Sequence, residues 1–156
     1  MADYIFTKTK TIKREMFGKI IQLFTSAGWT DVSSNPTTDF VVLHSKGESG
    51  TKDLFIQIRP TNVANINNIE TTDFNVISYR FIEGYVAGVD GASGTFTRTT
   101  TEVWNALHIV PTPVTTVTSA DIELTYFYHV NKNRLIMAIE TPASTSYAPT
   151  LFYLGL

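Results

Sequence analysis

The segment from Ile122 to Val130 restricts the fold more than any other part of the sequence. Its residues alternate strictly between two sets, which are Ile122, Leu124, Tyr126, Tyr128 and Val130 against Glu123, Thr125, Phe127 and His129. Successive side chains of a strand point to opposite faces, so this pattern predicts a strand with one buried face. The run Asn131 to Asn133 predicts a turn, because asparagine tolerates left-handed backbone. Arg134 to Thr141 is then the predicted partner strand, which makes the sheet antiparallel.

Only one segment has a clear helical pattern. From Thr11 to Ala27, apolar residues recur at every third or fourth position, with basic and amide side chains opposite them. Thr9 or Thr11 is placed to cap the start of this helix, and Gly28 is placed to end it. Gly18 in mid-helix costs roughly 1 kcal/mol relative to alanine, which predicts that a strand approaches the helix closely there.

The chain after Thr38 has the composition of strands. Its many threonines, valines, isoleucines and aromatic residues suit a pleated surface. Further strands are predicted at Phe40 to Ser45, Leu54 to Arg59, Phe74 to Val86 and Tyr147 to Leu154, with an extended edge at Pro113 to Thr118. Ala87 to Thr101 is rich in glycine and predicts a mobile loop or a long hairpin tip.

These elements predict one α+β domain over residues 1–156. In it, one N-terminal amphipathic helix packs on a mainly antiparallel β-sheet or β-sandwich of about six or seven strands. A chain of 156 residues is long enough to bury a core without disulfides, and this sequence has no cysteine.

The charge pattern excludes several classes of partner. The formal net charge is −2, the pI is about 5.9 and the arginines are scattered, which argues against nucleic acid. The N-terminus MADYIFTKTK lacks the features of a signal peptide, and no apolar run is long enough to span a bilayer. We therefore expect synthesis in the cytoplasm and no membrane partner.

The candidate catalytic groups do not form a recognised motif. His44, His108 and His129 each lack a second ligand at the spacings that metals favour. Asp121 and Glu123 share a strand face, as a paired-carboxylate hydrolase would require, but acids on the wet face of a strand ordinarily keep a sheet soluble. We expect no catalytic site, metal or cofactor, and a cell-wall hydrolase is the least favoured alternative.

Aromatic residues make up 12% of the chain and leave a second function open. Five of them could form a surface on which sugar rings stack, namely Tyr85, Trp104, Tyr126, Tyr128 and Tyr147. In strands, the same residues more often form core and cross-strand pairs. A glycan-binding module is therefore kept as the alternative.

Four segments carry a resemblance to a known group of proteins. They are SAGW at Ser26 to Trp29, the Gly-Glu-Ser-Gly hairpin within Asp39 to Pro60, the tyrosine strand and asparagine turn within Tyr126 to Thr141, and the final LFYLGL. In this order they resemble small structural proteins of tailed bacteriophages, in particular tail, baseplate or neck components.

This resemblance implies an architectural role in the virion, in which the protein contacts copies of itself and neighbouring virion proteins. It implies no cofactor and no turnover; the glycan alternative would act on the same particle. The predicted contacts lie in the glycine-rich loop, at both chain ends and on the extended edge. The candidates are Tyr4, Phe6, Val89, Phe96, Arg98, Val114, Val117, Leu154 and Leu156.

Overall fold

The computed structural model describes residues 6–36, 40–59, 76–97, 104–109, 121–140 and 150–155. The helical part consists of a 3-10 turn at Lys13–Glu15 and the helix α1 at Met16–Ser26. The strands are β1 (Thr7–Ile12), β2 (Thr30–Asp31), β3 (Val41–Ser45), β4 (Leu54–Arg59), β5 (Val76–Ile82), β6 (Gly84–Val86), β7 (Thr95–Thr97), β8 (Asn105–His108), β9 (Glu123–Val130), β10 (Arg134–Glu140) and β11 (Thr150–Gly155).

The described strands form three antiparallel sheets. A four-stranded sheet has the order β1-β9-β10-β11, a five-stranded sheet has the order β2-β3-β4-β5-β8, and β6 pairs with β7 in a hairpin. The prediction of one helix with mainly antiparallel strands is confirmed, whereas the number of strands, six or seven, was too low. The missed strands β2, β7 and β8 have only two to four residues, too few to show an alternating pattern. The six-residue β1 was also missed, because its last residues were assigned to the helix.

One hydrophobic cluster joins α1 to both large sheets. The helix contributes Met16, Ile20 and Phe24, all at most 1% exposed. Around them pack side chains from the four-stranded sheet, such as Met137, and from the five-stranded sheet, such as Ile56. Since each fully buried side chain of this size stabilises the fold by about 1.5–3 kcal/mol, the cluster is the main source of stability. The predicted packing of an amphipathic helix on a sheet is confirmed.

The predicted start of the helix was wrong. Thr11 and Ile12 belong to β1, which pairs along its length with β9, and Glu15 is the N-cap residue without a side-chain capping bond. Pairing with a strand more than a hundred residues away overrides the local helical pattern, and the threonines suit the strand. Gly28 does follow the helix as predicted: its φ is +95° and its N–H donates to the carbonyl of Thr25.

Other strand predictions are confirmed with changed boundaries. The predicted strand from Phe74 to Val86 is broken after Ile82, because β5 continues the five-stranded sheet while β6 turns to pair with β7. The hairpin alternative for the glycine-rich segment is therefore correct in residues 84–97. The C-terminal strand pairs with β10 and forms one edge of the four-stranded sheet. The predicted edge at Pro113 to Thr118 lies outside the described residues.

Two turns from different sheets are hydrogen-bonded to each other, and we call Ser45, Glu48, Lys132 and Asn133 the turn clasp. The buried hydroxyl of Ser45 donates to the carbonyl oxygen of Lys132 at 2.6 Å. Glu48 accepts from the backbone N–H of Lys132 and donates its own N–H to the amide oxygen of Asn133, both at 3.1 Å. The turn after β3 is thus attached to the turn between β9 and β10.

Trp29, three residues after the end of α1, strengthens this attachment. Trp29 is 3% exposed and lies edge-on to Phe24, with ring centroids 4.9 Å apart. Its indole N–H donates to the carbonyl of Asn131 at 2.9 Å. Helix α1, the five-stranded sheet and the four-stranded sheet are therefore all connected at one end of the core.

We predict that Ser45→Ala lowers the free energy of unfolding by about 1–3 kcal/mol, because the carbonyl of Lys132 and the buried N–H of Gly47 both lose their partner. Urea denaturation measures the change. Ser49→Ala is the matched control, since Ser49 is an exposed serine in the same turn. Equal effects of the two substitutions would contradict a structural role for the clasp.

Gly18 does not serve the close strand contact that was predicted. It is exposed, and a Cβ added there would meet no described atom within 4 Å.

We predict that Gly18→Ala raises the free energy of unfolding by up to about 1 kcal/mol, the difference in helix propensity. Gly47→Ala should instead destabilise, because Gly47 has a φ of +69° and the new Cβ would lie 2.9 Å from Asn133 Oδ1. Destabilisation by Gly18→Ala in the same urea experiment would show that the helix needs glycine there.

Candidate functional site

Four of the nine predicted contact residues lie in the described part of the chain. Val89 is 78% exposed near the tip of the β6–β7 hairpin, and Phe6 is 47% exposed beside β1. Phe96 is half-buried, with its ring centroid 5.0 Å from that of Tyr85. Leu154 is 1% exposed and belongs to the core, so its side chain is not at the surface. The others, Tyr4, Arg98, Val114, Val117 and Leu156, lie outside the described residues.

Phe6, before β1, and Leu151 and Tyr153 of β11 lie on the side of the four-stranded sheet that faces away from the core cluster. We call this side the outer face. The strand registers and ring contacts place its residues in two rows, which are Phe6, His129, Ile136 and Tyr153, and Lys8, Phe127, Ala138 and Leu151. Leu151 is 75% exposed and Tyr153 is 45% exposed. The outer face is therefore a largely apolar strip that crosses all four strands.

Sequence reasoning named Leu154 at the C-terminal end and missed Tyr153. Pairing of Leu135 with Leu154 puts Leu154 on the inner side of the sheet. Alternate residues of a strand face opposite sides, so Leu151 and Tyr153 face outwards. The alternation of the last strand, read against the buried Leu135, was the signal that could have identified them.

The two edges of this sheet differ in charge. β1 carries Lys8 and Lys10, and charged residues on an edge discourage pairing with another chain. β11, with the sequence TLFYLG, carries no charged residue and pairs only with β10 among the described strands. This second edge is chemically suited to accept another strand.

A group of basic and aromatic side chains lies on the five-stranded sheet. We call Arg59, Arg80 and Trp104, with Phe40 and Gln57, the arginine–tryptophan cluster. The guanidinium carbons of Arg59 and Arg80 lie 3.7 and 4.4 Å from the centroid of the Trp104 ring. Arg80 is 8% exposed, and its Nε donates to Oε1 of the buried Gln57 at 2.7 Å.

The cluster lies on the side of the sheet opposite the hydrophobic core. Gln57 falls between Ile56 and Ile58, whose side chains are in the core, and it pairs across the sheet with Arg80. Burial lowers the pKa of the Arg59 guanidinium. Phe40, 5.0 Å from that guanidinium, has a φ of +59°, which is uncommon for a residue other than glycine.

A groove of about 400 Å³ runs between α1 and β9, and we call it the helix groove. It is lined by polar and aromatic side chains together with three apolar ones, namely Thr9, Lys19, Gln22, Ser26, Tyr126, Tyr128, Leu23, Ala27 and Val130. The rings of Tyr126 and Tyr128 are 5.9 Å apart. Burial, and then the neighbouring Tyr128, raise the pKa of Tyr126, although a hydrogen bond with Thr9 opposes this.

Three of the groups considered for acid–base chemistry, Asp121, Glu123 and His44, are engaged in ion pairs. Asp121 pairs with Arg14 at 2.5 Å, and Glu123 pairs with Lys10 at 2.8 Å. His44 Nε2 lies 2.9 Å from Asp53 Oδ1, which also accepts from Lys46. The hydrogen bond from Lys46, followed by that from His44, lowers the pKa of Asp53. Each carboxylate is thus paired with a basic side chain.

Histidine, aspartate and glutamate side chains in the described segments do not gather in groups of three that could hold a metal ion. No helix among the described elements is long and apolar enough to cross a membrane. No family model, curated protein or solved structure is significantly similar to this chain. A function must therefore be argued from the outer face, the helix groove and the arginine–tryptophan cluster.

Proposed function

We propose that the protein is a non-enzymatic structural subunit of a tailed-bacteriophage virion. In this proposal it is made in the host cytoplasm and joins copies of itself and neighbouring proteins of the tail, baseplate or neck. The observation that carries the assembly role is the apolar outer face of the four-stranded sheet. The sequence resemblance supports the assignment to a phage particle.

The outer face has the composition of a protein–protein contact. Its apolar side chains are Phe127 and Ile136 on the two central strands and Leu151 and Tyr153 on the edge strand β11, and water solvates all four poorly. The charged residues border them, with Lys8 on β1 and Arg134 and Glu140 at the two ends of β10. A patch of apolar side chains bordered by charged ones is typical of an interface. Each Å² of apolar surface covered there contributes roughly 25 cal/mol before the costs of association.

The uncharged edge at β11 offers a second means of contact. A neighbouring strand could continue the sheet there, while β1 is protected by its lysines. Two copies that use different surfaces of each molecule make a head-to-tail contact, which closes into a ring or extends as a filament. Both results suit a component of a phage tail.

We predict that the wild-type protein self-associates as its concentration rises and that Leu151→Asp weakens this association at least tenfold. A carboxylate buried in the contact would lose its hydration, and a tenfold change corresponds to about 1.4 kcal/mol. Sedimentation velocity over a concentration series measures the effect.

Val86→Asp is the matched control, because Val86 is 69% exposed, similar to Leu151, but lies on β6 and is not among the predicted contact residues. It should leave association unchanged if the outer face makes the contact. A wild-type protein that remains monomeric at the highest concentration would remove the basis of the proposal.

The helix groove favours glycan binding as a second candidate function. Tyrosine rings offer stacking surfaces for sugars, while the hydroxyl, amide and ammonium groups of Thr9, Gln22 and Lys19 can hydrogen-bond to sugar hydroxyls. The volume of about 400 Å³ lies within the range of small-molecule sites. Trp104, the other aromatic candidate, has its ring in contact with two guanidinium groups.

For this candidate, we predict that a glycan array gives specific binding that Tyr128→Ala abolishes. Tyr153→Ala is the control, since it removes an exposed tyrosine of the outer face and leaves the groove intact. If no glycan binds, or if both variants lose binding equally, the helix groove is not a sugar site.

A further inference from the structure

The arginine–tryptophan cluster contains two positive charges in a small space. Both guanidinium carbons lie close to the same indole centroid, so they can be no farther apart than the sum of 3.7 and 4.4 Å. Like charges at such a separation, in a partly dehydrated environment, repel each other. The indole ring attracts each cation, but a ring face does not replace the hydrogen bonds that guanidinium N–H groups make in water.

The two arginines differ in their contacts. Arg80 is buried and donates to Gln57. Arg59 is half-buried, and neither a hydrogen bond nor an ion pair joins it to any residue in the described part of the chain. Its Nε is buried without a hydrogen-bond partner among those residues. The Arg59 guanidinium is thus held in place mainly by the rings of Trp104 and Phe40.

Such a group is suited to bind an anion. A carboxylate would pair with the Arg59 guanidinium, whose buried Nε has no hydrogen-bond partner among the described residues, and its two oxygens match a pair of parallel N–H donors. The rings of Phe40 and Trp104 reduce the access of water, which strengthens the charge-assisted hydrogen bonds.

We propose that the arginine–tryptophan cluster is a binding site for the carboxylate group of an external small ligand, with Arg59 as the main contact and Trp104 as its aromatic wall. Arg80, fixed by Gln57, supplies the second positive charge. The ligand class is an organic acid or an acidic sugar. The site lies on a different sheet from the outer face and does not depend on the assembly role.

The two tryptophans of the chain allow a direct test by NMR. The indole N–H of Trp104 reports on the cluster, while that of Trp29 lies in the core and donates to Asn131, so it serves as an internal reference. We titrate the protein with sodium acetate, sodium glucuronate and sodium phosphate at constant pH and ionic strength, with sodium chloride as the blank. Trp104→Phe assigns the two signals.

The proposal predicts a saturable shift of the Trp104 signal with acetate or glucuronate and a constant Trp29 signal. A larger shift with glucuronate than with acetate indicates that the ligand is an acidic sugar. Equal shifts indicate that the site recognises only the carboxylate group. Arg59→Gln should weaken binding at least tenfold, and Arg59→Lys should weaken it less. Arg14→Gln is the charge-matched control, since Arg14 pairs with Asp121 at a distant surface, and it should bind like the wild type.

Three results would overturn the proposal. They are the absence of a saturable shift of Trp104, a response to phosphate without a response to carboxylates, and binding that persists in Arg59→Gln. The titration of the wild-type protein tests carboxylate binding without any variant. A variant that fails to fold therefore does not affect that result. The Trp29 signal shows in each variant whether the core is intact.

Discussion

The hydrogen bonds between the turn after β3 and the turn after β9 are the constraint on which the arrangement of the sheets depends. Ser45 is buried at this point and bonds to Lys132, while Trp29 connects the end of the helix to Asn131. These bonds lie beside the hydrophobic cluster that fills the space between α1 and both large sheets. The apolar core supplies most of the stability, and the polar contacts between turns, which have strict geometry, select one relative placement of the sheets.

This placement decides which surfaces remain free. The inner side of the four-stranded sheet is committed to the core, and the outer face carries Phe6 near one edge and Tyr153 near the other. On the five-stranded sheet, the side away from the core carries Gln57 and Arg80, which are polar although they are buried. One protein therefore presents an apolar strip suited to a neighbouring subunit and a cationic aromatic cluster suited to an acid. The proposed virion role uses the first surface, and the proposed carboxylate site uses the second.

Local sequence patterns correctly predicted the elements whose position depends only on nearby residues. The alternation around Tyr126 gave β9 and its partner strand, and Gly28 marked the end of α1. The start of the helix was misplaced because the pairing of Thr7 with Tyr128 is a contact between distant parts of the chain, which no local pattern contains. The arginine–tryptophan cluster was missed for the same reason: Arg59, Arg80 and Trp104 lie far apart in sequence, and only the register of β4, β5 and β8 brings them together. Gly18 was misinterpreted because a cost in helix propensity was assumed to have a packing cause.

The central claim, that the outer face contacts neighbouring copies, can be tested at a single side chain because the native sequence contains no cysteine. Leu151→Cys introduces one thiol on the outer face, and Val86→Cys introduces one on the β6–β7 hairpin as a reference. The rate of alkylation of each thiol is measured at low and at high protein concentration. The account predicts that the thiol at position 151 becomes protected as the concentration rises, whereas the thiol at position 86 keeps its rate. An unchanged rate at position 151, under conditions in which the protein has associated, would contradict it.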